Sequence, residues 1–255
     1  MSGLSLICDY GESDGSEENE NDDLETFKSV GFRTKLPAPD LSKVSVIKTE
    51  EHIDNPDQHG GKIRSFSHVR GNWATFVFIK YPDLESLNII TENFANQIES
   101  IGLECKKCDD FHISLSKTFV LKYHLIAPLT ESLQEVFNTC DSFELGFHSI
   151  AIYCNEEETR TFVALKADIY SSRGLLMITQ KIDNILVEYK LPQFYDDPSF
   201  HMSILYVNGN KKNELTKILE RLNGVFVKYE KNIGSVIINK IECKSGNKYF
   251  QYYLQ

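Results

Sequence analysis

Phe111-His112-Ile113-Ser114-Leu115 and Phe200-His201-Met202-Ser203-Ile204 decide how this chain is read. In each stretch apolar residues alternate with His and Ser. The two-residue period of a strand sets His112 with Ser114, and His201 with Ser203, on one face and sends Ile113 and Met202 to the other. A lone His-x-Ser is a weak pattern, since a single histidine beside a phenylalanine on a strand is more often a satisfied core or surface residue. Two copies at equivalent places in a repeated arrangement change that balance.

The surroundings do repeat. Working outward from the first copy, alternation and β-branched content predict a strand over 73–80 and another over 143–154. Between them a stripe at Leu87, Ile90, Phe94, Ile98 and Ile101 predicts a helix over about 83–100, and a second helix is expected over about 124–140. The same order returns with a strand over 161–169, a helix over about 173–189, the second His-x-Ser strand, a helix over about 210–223 and strands from 233 onward. From Trp73 to His112 is 39 residues and from Thr161 to His201 is 40, so the motif occupies the same element of each half. A fold with two similar halves would bring both pairs to one place. One imidazole could then take a proton, the other give one, and two hydroxyls hold an anion between them. That set suits RNA phosphodiester cleavage without a metal, because RNA supplies its own nucleophile, the 2′-hydroxyl.

The chain has 255 residues, enough for one two-lobed domain or two small ones. No apolar run approaches the roughly 18 to 20 residues of a membrane span, and the first residues lack the basic-then-apolar order of a signal peptide, so no membrane partner is expected. Six cysteines in such a chain read as reduced thiols. Cys105-Lys-Lys-Cys108 lacks a second ligand pair at suitable spacing, so neither metal nor cofactor is expected.

Nine acids and no Lys or Arg fall between Asp9 and Glu25; without them the net charge of −10 becomes −1. Residues 1–58 therefore read as an acidic, mostly disordered segment, and 59–255 as the folded domain, with lobes over about 73–154 and 160–255. A nearly neutral domain is no bulk polyanion binder, and any RNA contact would be local.

Longer motifs are more specific. The chain carries His59-Gly-Gly61, Arg70-Gly-Asn-Trp-Ala-Thr75, Phe111-His-Ile-Ser-Leu-Ser116, Thr159-Arg-Thr-Phe162, Phe194-Tyr-Asp-Asp-Pro-Ser-Phe-His-Met-Ser203 and Cys243-Lys-Ser-Gly-Asn-Lys248. Over about 59–255 they resemble the U6 small nuclear RNA phosphodiesterases, a branch of the two-histidine (2H) phosphoesterases. The resemblance implies an α+β, two-lobed, pseudo-symmetric two-histidine phosphoesterase fold, with antiparallel sheets lining a central cleft and helices outside. It implies a monomeric nuclear 3′-to-5′ exoribonuclease that trims the oligouridine tail of U6 small nuclear RNA and leaves a terminal 2′,3′-cyclic phosphate or 3′-phosphate. Its partner would be that uridine-rich RNA 3′ end.

On this reading His112 and His201 are proton donor and acceptor, and Ser114 and Ser203 bind the phosphate. We lean to His201 as base and His112 as acid, while the pseudo-symmetry leaves the order open. The resemblance also nominates Tyr195 to stack on a base and Glu156 to meet the uracil edge. Glu156 departs from the glutamine often found there: a carboxylate accepts from the uracil N3–H but cannot donate to the carbonyls. Lys244 and Lys248 flank a predicted hairpin turn from which they approach phosphate, or simply meet solvent. Two other readings remain: a non-catalytic binder of uridine-rich 3′ ends, and a two-histidine cyclic phosphodiesterase acting on another RNA end.

Overall fold

The computed structural model describes residues 69–255. The acidic leader and the His59-Gly-Gly61 motif lie outside the described residues.

The first half runs β1 (Asn72–Lys80), α1 (Glu85–Glu99), β2 (Lys106–Lys107), β3 (His112–Ser114), β4 (Phe119–Lys122), α2 (Tyr123–Phe137), β5 (Phe143–Leu145) and β6 (Phe147–Cys154). The second runs β7 (Arg160–Ala167), α3 (Ile169–Glu188), β8 (His201–Asn208), α4 (Lys212–Thr216), α5 (Leu219–Ile233), β9 (Val236–Ile238), β10 (Lys240–Ser245) and β11 (Lys248–Tyr253). Nine strands form one antiparallel sheet in the order β11-β10-β1-β3-β8-β7-β6, with β2 added to β8 and β4 to β1. The two halves exchange their last strands: β6 of the first joins β7 and β8, while β10 and β11 of the second join β1 and β3.

The seam between the halves is the β3–β8 pair, with Ile113 directly opposite Met202. Both side chains are fully buried on the helix-covered face, together with Val77, Ile79, Leu115 and Ile204. Burying each of these large apolar side chains contributes roughly 1.5–3 kcal/mol, and a one-residue slip would turn the whole set outward, so the register is tightly specified. The same register turns His112, Ser114, His201 and Ser203 to the other face. That antiparallel pairing carries His112 opposite Ser203 and Ser114 opposite His201.

Helices cover only one face. The expected stripe of α1 is buried at Leu87, Ile90, Phe94 and Ile98, and α3 buries Leu175, Ile178, Ile182, Ile185 and Leu186. Among the described residues no helix covers the opposite face of the sheet, and that face carries the cleft.

Four boundaries differ from the sequence expectation. The strand expected over 161–169 stops at Ala167, because Asp168 caps α3 by accepting from the backbone N–H of Ser171 at 2.7 Å; the helix therefore starts four residues before Arg173. The strand expected over 143–154 is broken at Gly146, where a Cβ would lie 2.6 Å from Asp168 Oδ2, and β5 pairs with β9 in a separate sheet. The helix expected over 210–223 is two helices, and the second continues through Gly224 because Leu222, Phe226 and Ile233 keep an apolar stripe. It stops at Gly234, whose φ of +60° suits glycine. The short strands β2 and β4 were not expected at all.

Candidate active site

The seam supplies the cleft floor. His112, Ser114, His201 and Ser203 line one cavity of about 510 Å³, so the structure brings together the four residues that the repeated tripeptide singled out.

Each imidazole is held in the same way. His112 Nδ1 lies 3.1 Å from the carbonyl oxygen of Asp110, and His201 Nδ1 lies 2.7 Å from that of Ser199, each two residues back along the chain. A carbonyl oxygen only accepts, so Nδ1–H is the donor in both and Nε2 carries the chemistry. A neutral ring so held offers a lone pair at Nε2; a protonated one offers a proton there.

Their environments then diverge. Burial pushes the pKa of both below the ordinary 6.5, since desolvation disfavours the imidazolium. The Asp110 carbonyl and carboxylate work against that shift at His112. At His201 the Ser199 carbonyl opposes it, while the charge of His112 adds to the depression. The aromatic supports differ too. Tyr153 stacks flat on His201, with centroids 3.8 Å apart and planes at 14°, and its hydroxyl lies 2.6 Å from Ser199 Oγ. His112 instead meets the ring of Phe78 edge-on at 5.7 Å.

Among the described residues no protein group hydrogen-bonds the hydroxyl of Ser114 or Ser203, so both remain available to a ligand. Ser116, two residues on in the same motif, is different. Its buried Oγ accepts from the backbone N–H of Val77 at 2.9 Å and donates to the carbonyl of Lys117, which ties β1 to the segment after β3.

Two arms extend from the seam along the open face. On one, Phe76 is paired across strands with Lys244, and Lys244 with Tyr249; Lys244 Nζ sits 4.9 Å above the Tyr249 ring. On the other, Phe162 is paired with Tyr206, and the Arg160 guanidinium lies 5.8 Å and 5.6 Å from their ring centres. All six line the cleft. In the sequence Arg160 and Phe162 stand out only as parts of a motif, and Tyr153, Tyr206, Phe76 and Phe78 do not stand out at all. Alternation within β1, β6, β7 and β8 was their one signal, and it could not say which face would stay uncovered.

Tyr195 and Glu156 do not line the cavity that holds the four motif side chains. They do meet each other: Tyr195 Oη is 3.5 Å from Glu156 Oε1, and the ring is half-exposed with Lys117 Nζ 4.2 Å over one face. Burial, together with the neighbouring Glu156, pushes the Tyr195 phenol up. Lys248 is turned away from the cleft, over Tyr123 at 4.8 Å and Trp73 at 5.9 Å, so only Lys244 of the hairpin lysines reaches it. Cys105 is a free thiol, and among the described residues no cluster of three or more His, Cys, Asp or Glu could hold a metal ion. No described helix is long and apolar enough to cross a membrane.

An antiparallel sheet with a pseudo-symmetric seam, carrying one His-x-Ser on each side of a shared cleft, defines a two-histidine phosphoesterase. Comparison with known proteins narrows this class. A family model described as HVSL, uncharacterised conserved protein, matches residues 35–252. Curated relatives include "U6 snRNA phosphodiesterase 1" of Drosophila melanogaster, 34% identical over 98% of this chain and 99% of its own length. The Homo sapiens protein of the same name is 30% identical over 93% and 94%. The chain belongs to the U6 snRNA phosphodiesterase family. Its fold is similar to the solved structure of Kluyveromyces marxianus Usb1, with a TM-score of 0.55 at 14% identity, covering 71% of this chain and 98% of that one. A second structure of that protein, with uridine monophosphate, matches at a TM-score of 0.54 and 12% identity over the same shares.

Proposed function

We propose that this chain is an RNA phosphodiesterase that trims U6 small nuclear RNA from its 3′ end, in the nucleus and as a monomer. It would leave a terminal 2′,3′-cyclic phosphate or the 3′-phosphate to which that opens. The observation that carries the reading is the cleft floor: two imidazoles with Nδ1 anchored and Nε2 outward, interleaved with two hydroxyls that no described protein group uses. The names of the relatives supply the RNA.

The 2′-hydroxyl of the penultimate nucleotide attacks the phosphorus of the last linkage. His201 Nε2 takes the hydroxyl proton and His112 Nε2–H gives one to the departing 5′-oxygen. The asymmetry described above supports this order. Asp110 favours the charged form of His112, and a charged His112 favours a neutral His201. Each proton transfer is typically worth about 10²–10⁴ in rate. Ser114 and Ser203 donate to the non-bridging oxygens as charge gathers on the pentacoordinate phosphorus. Tyr195 and Glu156, touching each other beside the β6–β7 turn, are the candidates to hold the last base.

The test is incubation of an RNA ending in several uridines and a labelled 3′-hydroxyl, in EDTA, followed by analysis of the new ends. Stepwise shortening with cyclic or 3′-phosphate ends is expected. Opened cyclic ends without shortening would favour a cyclic phosphodiesterase, and binding without loss of label a non-catalytic binder.

A further inference from the structure

Arg160 has no task in the account so far. Its guanidinium lines the cleft that also holds His201 and Ser203, 5.8 Å and 5.6 Å from the ring centres of Phe162 and Tyr206, and Nε is buried with no hydrogen-bond partner. No carboxylate among the described residues pairs with it. An arginine set over aromatic rings keeps its N–H groups for an oxyanion, and a buried N–H left unmatched is unfavourable until such a ligand arrives.

The main chain beneath it is fixed. Asn155 N–H donates to the Arg160 carbonyl at 3.1 Å, and the Arg160 N–H donates to Asn155 Oδ1 at 2.8 Å. That clamp closes the turn carrying Glu156, the partner of Tyr195. Arg160 therefore belongs to the arm assigned to the departing nucleotide, while Lys244 stands across the seam with the chain that is kept.

Successive cuts change what that arm must hold. On an RNA ending in a 3′-hydroxyl, the penultimate 2′-oxygen bonds to phosphorus and the bond to the last 5′-oxygen breaks. The 2′-proton goes to His201, and a proton from His112 goes to the leaving oxygen. What departs is an uncharged nucleoside, and the shortened RNA ends in a cyclic phosphate. From the second cut onward the departing nucleotide carries that phosphate on its ribose. The arm that released a neutral nucleoside must now hold an anion. We infer that Arg160, set over Phe162 and Tyr206, is the subsite for the terminal 2′,3′-cyclic or 3′-phosphate, and so permits trimming beyond one nucleotide. This rests on the direction of cleavage proposed above.

The test compares two RNAs that differ only in ending with a 3′-hydroxyl or a 3′-phosphate, on wild-type protein, Arg160→Gln and Arg160→Lys. In Arg160→Gln the ratio of the phosphate-ended rate to the hydroxyl-ended rate should fall about tenfold or more, and Arg160→Lys should restore part of it. The same shift should appear in binding of a 2′-deoxy oligonucleotide with and without a 3′-phosphate, which is read without catalysis. A change of less than about twofold in both ratios, or a loss shared equally by the two ends, would overturn the assignment. Failure of the wild-type protein to shorten hydroxyl-ended RNA would instead count against the cleavage reaction, and the binding ratio would still judge Arg160.

Discussion

Replacing Tyr153 with Ala is predicted to disable His201 without touching it. The ring lies flat on the imidazole at 3.8 Å, and its hydroxyl holds Ser199 at 2.6 Å, the residue whose carbonyl anchors His201 Nδ1 at 2.7 Å. An aromatic pair contributes about 0.5–1.5 kcal/mol and a net hydrogen bond about 0.5–1.5 kcal/mol. If both express themselves in the orientation of the imidazole, the loss of about 1–3 kcal/mol lowers kcat by roughly 5- to 150-fold. Tyr153→Phe keeps the stack and loses only the hydroxyl, for about 2- to 10-fold. The truncation also admits water beside His201. Since burial is the first cause of its lowered pKa, hydration moves that pKa upward, toward 6.5. The assay is single-turnover cleavage across pH. For Tyr153→Ala the acidic limb of kcat/KM, which reports His201 losing its proton, should move to higher pH while the basic limb stays. An unmoved acidic limb, or equal losses in the Ala and Phe variants, would refute the role given to the ring.

Further outcomes follow from the same geometry. In wild-type protein both limbs of kcat/KM should lie below the ordinary histidine value of 6.5, and the kcat profile should be displaced to higher pH because bound phosphate favours imidazolium; coincident profiles would contradict that coupling. Ser114→Ala and Ser203→Ala should each lower kcat by about 10²–10³ with little change in KM, the equivalent of roughly 2.7–4 kcal/mol of transition-state stabilisation, and a loss confined to KM would make them mere binding groups. Tyr195→Ala should weaken RNA processing by about 1–3 kcal/mol and Tyr195→Phe by much less, as a stacking role requires. Glu156→Gln should sharpen the preference for a 3′-terminal uridine over adenosine or cytidine, because an amide can donate to a uracil carbonyl; an unchanged rate ratio removes this position from base recognition.

How much of this was legible without coordinates depends on the kind of signal. His112, Ser114, His201 and Ser203 could be read because a period-two pattern occurs twice at matched spacing, and strand geometry turns that pattern into a shared face. The helix of α1 could be read because its apolar stripe runs unbroken from Leu87 to Ile98. The exchange of β6 and β10–β11 between halves could not, since chain order says nothing about which edge a strand joins. The end of α5 was misplaced for a related reason: Gly224 looks like a stop, and only the buried Phe226 and Ile233 show that packing carries the helix on to Gly234. Tyr153 and Arg160 were hidden as ordinary strand residues. Their roles arise from what lies beside them on neighbouring strands.

The central claim is that the RNA's own 2′-hydroxyl attacks between two histidines, and a single 2′-deoxy substitution tests it most directly. Placed at the penultimate nucleotide, it removes the nucleophile and should stop release of the last nucleoside; placed at the terminal nucleotide, it should leave that release nearly intact. Release at a comparable rate from the penultimate-deoxy RNA would contradict internal attack and point to an activated water instead.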